Sequence, residues 1–373
     1  MTYLPRPAGV LATLFCLGTA TTAVAQEQPA EAQPELTEVA SFDHQVTGVT
    51  VSADGRIFVN FPRWTEDVEI SVAELVDGAP QPYPNAEWNG WNNLESADVS
   101  AEDHFVSVQS VVTDGDGSLW VLDPAAPATG FIVENGPKLV EIDLASDEVV
   151  RVIAFGPDVA PQGSYLNDVR FSPDGEHAYI TDSGPADALV VVDLETGEGR
   201  RVLEDHFSVA VDPDVTVTHA GAPVRRPDNR GAAFAADSIA LSSDGSTLFW
   251  KPLTGTTLYS IPTEVLTDPG RSANEVAAAV LDRGEVGITD GLWMDDAGRI
   301  YLSNVEDDAV RRWQDGEVSL VLQDDRLRWP DTFSEGPDGT IYVTTSRIMD
   351  MPWYKPENPR IVATTLWSFE PEN

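Results

Sequence analysis

One pattern recurs six times along the chain and limits its fold more than any other feature. Each copy has a polar residue, a run of mostly apolar alternation, a turn that ends in glycine and a second run rich in β-forming residues. This order is typical of a β-hairpin with Asp-Gly or Ala-Gly in the turn. The six turn glycines are Gly55, Gly117, Gly175, Gly245, Gly298 and Gly339.

The spacing of the hairpins indicates what else each repeat contains. Successive turn glycines are separated by 41 to 70 residues, which leaves room for two further strands per repeat. Strand-forming segments fill that room clearly in the second copy, at 138–144 and 149–155, and in the third copy, at 188–194 and 199–205. Six four-stranded units predict an all-β chain that folds as a single six-bladed β-propeller.

The two ends of the repeat array are complementary. The sixth copy has a third strand at 364–370 and no sequence left for a fourth, whereas the strand-like segment 36–42 precedes the first hairpin without a blade of its own. Unpaired edge strands are a liability, and a closed ring protects them. We therefore predict that the N-terminal strand pairs with the last blade, and that the propeller occupies residues 36–373.

The N-terminus has the organisation of an export signal. Arg6 precedes an apolar stretch, and small residues lead up to Ala25. The sequence predicts a signal peptide over residues 1–25 with cleavage after Ala25, then a flexible leader over 26–35. The protein is then expected to be secreted or periplasmic and free of the membrane. An uncleaved signal that acts as a membrane anchor is the alternative, although the apolar run is short for a span.

Several kinds of chemistry are disfavoured by what the sequence lacks. Cys16, the single cysteine, lies in the predicted signal peptide. The mature chain would therefore have no thiolate nucleophile, disulfide or cysteine-ligated metal. The five histidines show no HExxH or other paired spacing, and no GxSxG elbow, P-loop or dinucleotide fingerprint occurs. Serine hydrolases, phosphoryl transfer and nicotinamide redox chemistry are poor candidates.

The charge of the chain restricts its partners. Lysine and arginine number 22 against 62 aspartate and glutamate residues, a formal net charge of -40. Such a chain repels phosphate backbones and anionic lipid headgroups, so we expect no nucleic-acid or membrane partner. Most of the acidic residues are interpreted as a solvated surface. We expect a monomer whose partner is a small molecule.

The position eight residues before each turn glycine begins the innermost strand of a blade, so these six residues are expected to form a ring around the central channel. Three carboxylates in a narrow channel cannot all remain ionised without a cation nearby. Carboxylate and amide oxygens favour Ca²⁺, with Mg²⁺ and Mn²⁺ as alternatives. A ring that only caps backbone groups or holds water is the other interpretation. The ring consists of Thr47, Gln109, Asn167, Asp237, Asp290 and Asp331.

Aromatic residues are concentrated in the connections that should surround the mouth of this channel. Tryptophans above an acidic channel could stack a planar or cationic small molecule. Trp64 and Trp88 are at least as well explained as anchors that hold long loops on the rim. The candidate ligand-binding residues are Trp91, Trp329, Trp353 and Arg347.

Four segments, 167–184, 238–266, 289–304 and 326–346, resemble bacterial members of the major royal jelly protein and Yellow family. The resemblance covers roughly residues 36–370, and the sequences DHFSV, KPLTG and WPDTF make it specific. The family is similar in fold to the propellers of gluconolactonase, regucalcin and strictosidine synthase. The resemblance thus implies a gluconolactonase-like six-bladed propeller.

The resemblance also implies roles for the ring. Asn167, Asp237 and Asp290 match metal-ligand positions of the gluconolactonase-like proteins, with Gln109 and Asp331 nearby, and Asp290 also matches a catalytic acid–base carboxylate. The chain departs from that pattern, because Gln109 stands where a glutamate is expected and Asp237 where an asparagine is expected.

Three functions therefore stay open. Insect members of the family have been linked to dopachrome conversion and to binding of biogenic amines. The chain is interpreted as a metal-assisted lactonase-type hydrolase, a dopachrome-type isomerase, or a non-catalytic binding protein for small aromatic or cationic ligands.

Overall fold

The structure is a computed structural model that describes residues 1–4, 33–65, 68–96, 98–127, 131–358 and 362–371. Residues 1–4 carry no regular secondary structure. The rest of the predicted signal peptide, and the leader up to residue 32, lie outside the described residues. Among the described residues, no helix combines the length and apolar character that crossing a bilayer requires.

Six antiparallel four-stranded sheets form the blades, which confirms the predicted all-β six-bladed propeller. Blade 1 contains β2 (Val49–Val51), β3 (Ile57–Asn60), β4 (Val72–Val76) and β5 (Ala79–Pro82). Blade 2 contains β6 (Ser110–Thr113), β7 (Ser118–Asp123), β8 (Lys138–Asp143) and β9 (Glu148–Ala154). Blade 3 contains β10 (Leu166–Phe171), β11 (His177–Asp182), β12 (Ala188–Asp193) and β13 (Gly199–Val202).

The fourth blade carries two short helices, α1 (Thr263–Thr267) and α2 (Ala273–Ala278), between its third and fourth strands. Blade 4 contains β16 (Ala236–Leu241), β17 (Thr247–Pro252), β18 (Thr257–Pro262) and β19 (Leu281–Glu285). Blade 5 contains β20 (Thr289–Met294), β21 (Ile300–Asn304), β22 (Ala309–Gln314) and β23 (Glu317–Gln323). Blade 6 contains β24 (Pro330–Glu335), β25 (Ile341–Thr345), β26 (Thr364–Phe369) and β1 (Thr37–Phe42).

The six predicted hairpin turns are present, and each of their glycines has a positive φ, between 71° and 105°. Side chains other than asparagine and aspartate rarely adopt this conformation, so glycine suits the turn. The first strand of each hairpin is the innermost strand of its blade and contacts the first strands of both neighbouring blades. These contacts run around the whole ring, including β2 against β24.

The N-terminal strand closes the ring as predicted. β1 pairs antiparallel with β26, with Thr37 opposite Ser368 and Phe42 opposite Thr364. Phe42 is buried against Phe61 of the first blade, with ring centroids 5.1 Å apart. The strand therefore belongs to blade 6 by hydrogen bonding and also packs on blade 1.

A long connection between blades 3 and 4 covers the channel end at which the innermost strands begin. It contains a small hairpin, β14 (Thr218–His219) and β15 (Ala222–Pro223). His219 Nε2 lies 2.9 Å from Asp308 Oδ1, and the Ala220 amide donates to the Glu306 carbonyl at 2.9 Å. These contacts fix the connection to blade 5, so it forms a wall of the site.

Candidate functional site

Two cavities lie at opposite ends of the channel. The first, here called the mouth cavity, has a volume of about 720 Å³ and lies where the innermost strands begin. The second has a volume of about 520 Å³ and lies among the hairpin turns. Residues lining the mouth cavity include Trp64, Gln109, Tyr165, Asn167, Arg226, Phe234, Asp237, Asp290, Asp331, Trp353 and Tyr354.

Four of the six predicted ring residues lie at β-bulges. Asn167, Asp237, Asp290 and Asp331 are each the second residue of an innermost strand, and in each the register with the next strand shifts at that residue. A bulge re-aims a side chain that regular pleating would direct elsewhere. All four side chains line the mouth cavity while remaining at most 8% exposed.

Gly291 allows blades 5 and 6 to approach closely beside this ring. A Cβ atom at this position would lie 2.0 Å from the Asp331 carbonyl oxygen. Any side chain would therefore separate the two strands, and with them Asp290 and Asp331. The glycine after Asp290 thus sets the spacing of the two carboxylates.

The floor of the mouth cavity is a connected group of polar side chains. Asn167 Nδ2 donates to Asp237 Oδ1 at 2.5 Å. The carboxyl groups of Asp237 and Asp290 lie within hydrogen-bonding reach of each other. Trp329 Nε1 donates to Asp290 Oδ2 at 2.5 Å. Two carboxyl groups in this arrangement share a proton or a cation, since two bare anions would repel.

Burial and like charge raise the pKa values of these acids. Burial is the larger cause for Asp237, whose pKa lies well above its ordinary value, and the Asp290 charge adds to it. Burial also raises the pKa of Asp290 to about 6, although hydrogen bonds from Trp329 and Asp237 oppose the shift. The pKa of Asp331 is raised by burial and then by the Asp290 charge. Carboxyl groups poised near neutrality are probabilistic markers of acid–base sites.

Lys251, in the KPLTG segment, lies behind the carboxyl pair. It is fully buried, and its Nζ donates to the Pro252 carbonyl at 2.7 Å. Burial lowers its pKa to about 7, and the charges of Asp237 and Asp290 oppose that shift. The ammonium group is therefore the basic partner of the acidic floor.

Gln109 and Thr47, the remaining ring residues, precede their strands and occupy different surroundings. Gln109 Oε1 accepts a hydrogen bond from the Tyr165 hydroxyl at 2.9 Å, and that hydroxyl accepts one from Trp64 Nε1 at 2.8 Å. Thr47 donates to the Gln109 carbonyl at 3.3 Å. The Gln109 oxygen is thus already occupied by a donor.

The residues on the floor fit a divalent cation in part. Asp237 contacts both Asn167 and Asp290, and the three side chains offer oxygen atoms of the type that Ca²⁺ prefers. Asp331 does not join them at a common point, because the three ring carboxylates do not all lie within 4.8 Å of one another. Among the described residues, the group that meets this distance is Asp174, Glu176 and His177, on the exposed β10–β11 turn.

The predicted ligand-binding residues are distributed over three environments. Trp353 lines the mouth cavity. Trp329 is fully buried behind Asp290 and does not line it. Trp91 packs elsewhere, with Ala101, Val106 and Ala125.

Arg347 also lies away from the cavity lining. Its Nη2 forms an ion pair with Asp350 at 2.9 Å, and Arg328 and Lys355 contact the same carboxylate. These contacts hold the pKa of Asp350 well below its usual range despite burial. Arg347 therefore belongs to a loop-stabilising cluster.

The cavity wall contains Trp64, whose role the sequence left open, together with residues that sequence reasoning missed. Trp64 lines the cavity, with its ring centroid 5.4 Å from that of Trp353. Tyr165, Phe234 and Tyr354 complete an aromatic wall. Tyr165 and Phe234 lie in connections without a repeating pattern, so no sequence signal assigned them to the site. The whole cavity thus has an acidic floor and aromatic walls.

Comparison with known proteins identifies relatives at two levels. The sequence model of the major royal jelly protein family matches residues 106–349. Major royal jelly protein 1 of Apis mellifera is 25% identical over 241 residues, which cover 59% of this chain and 51% of that protein. The chain thus spans about half the length of the curated relative it matches.

Solved structures with similar folds are propellers of low sequence identity. A putative gluconolactonase has a TM-score of 0.55 at 15% identity, with 92% of this chain and 93% of that chain covered. A gluconolactonase from Xanthomonas campestris has a TM-score of 0.55 at 11% identity, with 91% and 90% covered. The calcium-binding protein regucalcin from Agrobacterium tumefaciens has a TM-score of 0.52 at 15% identity, with 91% and 93% covered. These likenesses concern the fold, whereas the family match spans well over half of the sequence, and the chain belongs to the major royal jelly protein family.

Proposed function

We propose that the chain acts after export as a small-molecule hydrolase that opens a lactone or related ester in the mouth cavity. The observation that carries this proposal is the buried Asp237–Asp290 carboxyl pair on the floor of an aromatic-walled cavity. One member of the pair has a pKa of about 6, so the two carboxyl groups hold one proton between them near neutral pH. The pair can then accept one proton and donate another.

The two carboxyl groups have complementary roles in this reaction. Ionised Asp290 takes a proton from a water molecule as the water oxygen attacks the ester carbonyl. The bond from the carbonyl carbon to the ring oxygen then breaks, and protonated Asp237 supplies the proton to the departing oxygen. Trp329 and Asn167 keep the two carboxyl groups in place through their hydrogen bonds.

If a divalent cation took the place of the shared proton, Asn167, Asp237 and Asp290 would hold it, and it would supply polarisation of the ester carbonyl while Asp290 handles the proton. Two gluconolactonase-named structures and a calcium-binding propeller among the similar folds support a search for that activity and that ion. Their identities of 11% to 15% carry no assignment of substrate.

A second candidate is a binding protein without turnover. It is favoured by the Trp329 contact, because that hydrogen bond already occupies Asp290 Oδ2. In this case the aromatic wall and acidic floor would hold an aromatic or cationic molecule.

Replacement of Asp290 by asparagine separates the two candidates. The introduced amide keeps an oxygen that accepts from Trp329 Nε1 but cannot take a proton from water, so we expect lactone turnover to fall by about a hundredfold or more with little change in melting temperature. Wild-type activity should rise as the pH passes about 6, where Asp290 ionises. A panel of lactones followed by proton release measures both effects.

Asp296→Asn is the control for that experiment, since Asp296 is exposed at the opposite end of the channel. If wild-type protein turns over a lactone and the Asp290→Asn variant keeps that activity, the proposed proton transfer is ruled out. A wild-type protein that is inert on the panel and still binds small aromatics with Trp quenching would establish the binding function.

Removal of divalent cations is expected to lower the melting temperature, and Ca²⁺ is expected to restore it. Binding to the folded state alone would stabilise it by about 2.7 kcal/mol at a hundredfold excess over Kd. Asp237→Asn should abolish the shift, whereas Asp174→Asn, in the exposed turn cluster, should leave it intact. Metal analysis that finds no bound cation, together with an unchanged melt, would refute the cation site.

A further inference from the structure

We propose that the mouth cavity selects small aromatic molecules that carry a carboxylate, and that Arg226 binds this carboxylate at the outer end of the cavity. The inference rests on the proposed function and narrows it, because the lactone or ester substrate would then be an aromatic acid.

Arg226 is an unusual residue in its surroundings. The chain has 62 acidic and 22 basic residues, yet two arginines, Arg226 and Arg230, line the mouth cavity. Arg230 forms an ion pair with Asp228 at 2.6 Å. Arg226 forms none with any carboxylate of the described residues. Its charge is therefore available to a ligand.

The backbone around Arg226 is well fixed. The Arg226 amide donates to the Arg230 carbonyl, and the Asn229 amide donates to the Arg226 carbonyl, both at 2.8 Å. The guanidinium carbon lies 5.7 Å from the Trp353 ring centroid and 5.9 Å from that of Tyr354. Aromatic faces hold a guanidinium without using its hydrogen-bond donors. Arg226 thus presents its donors in a defined position.

Tyr354 supplies a second sign of a missing partner. It lines the mouth cavity and is 8% exposed, and its hydroxyl lies beside the Arg226 guanidinium without a well-oriented hydrogen bond to any of the described residues. An unsatisfied buried hydroxyl is costly. A ligand oxygen that accepts from both Tyr354 and Arg226 would satisfy the hydroxyl and neutralise the arginine, and a carboxylate offers two such oxygens.

The acidic floor sets the direction of the ligand. The floor carries the negative charge of the Asp237–Asp290 pair, which repels a second carboxylate, so an anionic group is excluded from the floor and accepted only at the arginine. The aromatic wall formed by Trp64, Phe234 and Trp353 lies in the same cavity and suits a planar ring. The three environments together specify an aromatic ring with an anionic end.

Three matched probes test the proposal by titration of Trp fluorescence: 3-(4-hydroxyphenyl)propanoate, tyramine and 4-ethylphenol. Wild-type protein is expected to bind the acid most tightly. Arg226→Gln should raise the Kd of the acid by about tenfold, because it removes one charge-assisted contact. The Kd of ethylphenol should stay within about twofold of its wild-type value. Tyr354→Phe should raise the Kd of the acid alone, by a smaller factor. Arg225→Gln, an exposed neighbour outside the cavity lining, should change nothing.

The outcomes separate this inference from the proposed function. Suppose that wild-type protein binds tyramine or ethylphenol at least as tightly as the acid, and that acid binding is unchanged in Arg226→Gln. In that case the carboxylate site is wrong and the mouth cavity remains a small-molecule site. If none of the three probes binds, the carboxylate site is wrong, and the hydrolase is decided by the lactone panel alone. If Arg226→Gln weakens acid binding selectively while the protein turns over no lactone, the carboxylate site stands and the hydrolase does not.

Discussion

A form of the protein that lacks residues 33–42 is expected to melt about 10 °C lower than the intact propeller, or more. The deletion removes β1, and with it the buried side chains of Leu36 and Phe42. Burial of a leucine or phenylalanine side chain contributes roughly 1.5–3 kcal/mol each, before lost strand pairing is counted. About 5 kcal/mol corresponds to roughly 10 °C for a large single domain.

The effect is large because β1 connects the first blade to the last. Leu36 packs in the core of blade 6 with Trp367 and Phe369, whereas Phe42 packs in the core of blade 1 with Phe61. Thr364 adds a polar link, because its hydroxyl accepts from the Val46 amide at 3.0 Å. Without β1, the edge of β26 is exposed, and unpaired edges promote aggregation.

Point substitutions in the same strand provide matched controls. Phe42→Ala should reproduce a large part of the loss, about 3 kcal/mol or more, since it leaves a cavity between two blades. Ser41→Ala, at an exposed neighbouring position, should lie within about 0.5 kcal/mol of wild type. A truncated chain with an unchanged melting curve would show that β1 does not hold the ring closed.

The fold was predictable because its signals are local and repeated. Each hairpin carries its own turn glycine, and six copies reinforce one interpretation where a single copy would be ambiguous. The closing strand followed from a count, since segment 36–42 had no blade and the last blade had no fourth strand. Both inferences depend only on the spacing of glycines and strand segments along the chain, which can be read directly from the sequence.

The site was only partly predictable, for a reason visible at the ring. Position relative to the turn glycine located Asn167, Asp237, Asp290 and Asp331, because the hairpin fixes that distance. The bulges that direct these side chains have no signature in the sequence. Neither does the non-local contact of Trp329 with Asp290, which lies 39 residues away in the chain.

Lys251 shows how a regular repeat can conceal a residue beside the candidate site. In blades 3 and 6 the corresponding inner position of the second strand carries a hydroxyl, as at Thr181 in blade 3, which donates to the Asp237 carbonyl at 2.6 Å. Thr344 likewise donates to the Thr47 carbonyl at 2.6 Å. Blade 4 places a lysine there instead, beside two carboxyl groups. The lysine is therefore an exception to the hydroxyl pattern at this strand position, and it lies beside the candidate site. It is recognisable only after the strands of the blades are aligned by their hydrogen-bond register.

Trp91 illustrates the opposite error, in which a residue expected at the ligand serves the scaffold. Its cluster contains Ala101, Val106 and Ala125. The backbone groups of these three residues bind a buried ion pair, Lys138 and Asp123, whose Nζ and Oδ2 atoms lie 2.9 Å apart. Trp91 therefore covers an ion pair at the mouth end of blade 2.

Asp123→Ala is accordingly expected to destabilise the protein by about 3–5 kcal/mol, as removal of one partner from a buried pair does. The Asp123 carboxylate accepts hydrogen bonds from the amides of Val106, Ser107 and Ala125 in addition to Lys138, so its loss leaves three amides without an acceptor and a buried ammonium group without its counter-charge. Chemical denaturation measures this change in the free energy of unfolding.

The remaining variants decide whether the pair or its backbone contacts dominate. Lys138→Met should cost less than Asp123→Ala, because Asp123 keeps its three amide donors while only the carbonyls of Ala101 and Gly136 lose a partner. Asp307→Ala, which removes an exposed ion pair with Arg311, should cost at most about 1 kcal/mol. If Asp123→Ala were no more damaging than Asp307→Ala, the ion pair would not hold the loops of blade 2, and Trp91 would be free to serve a ligand after all.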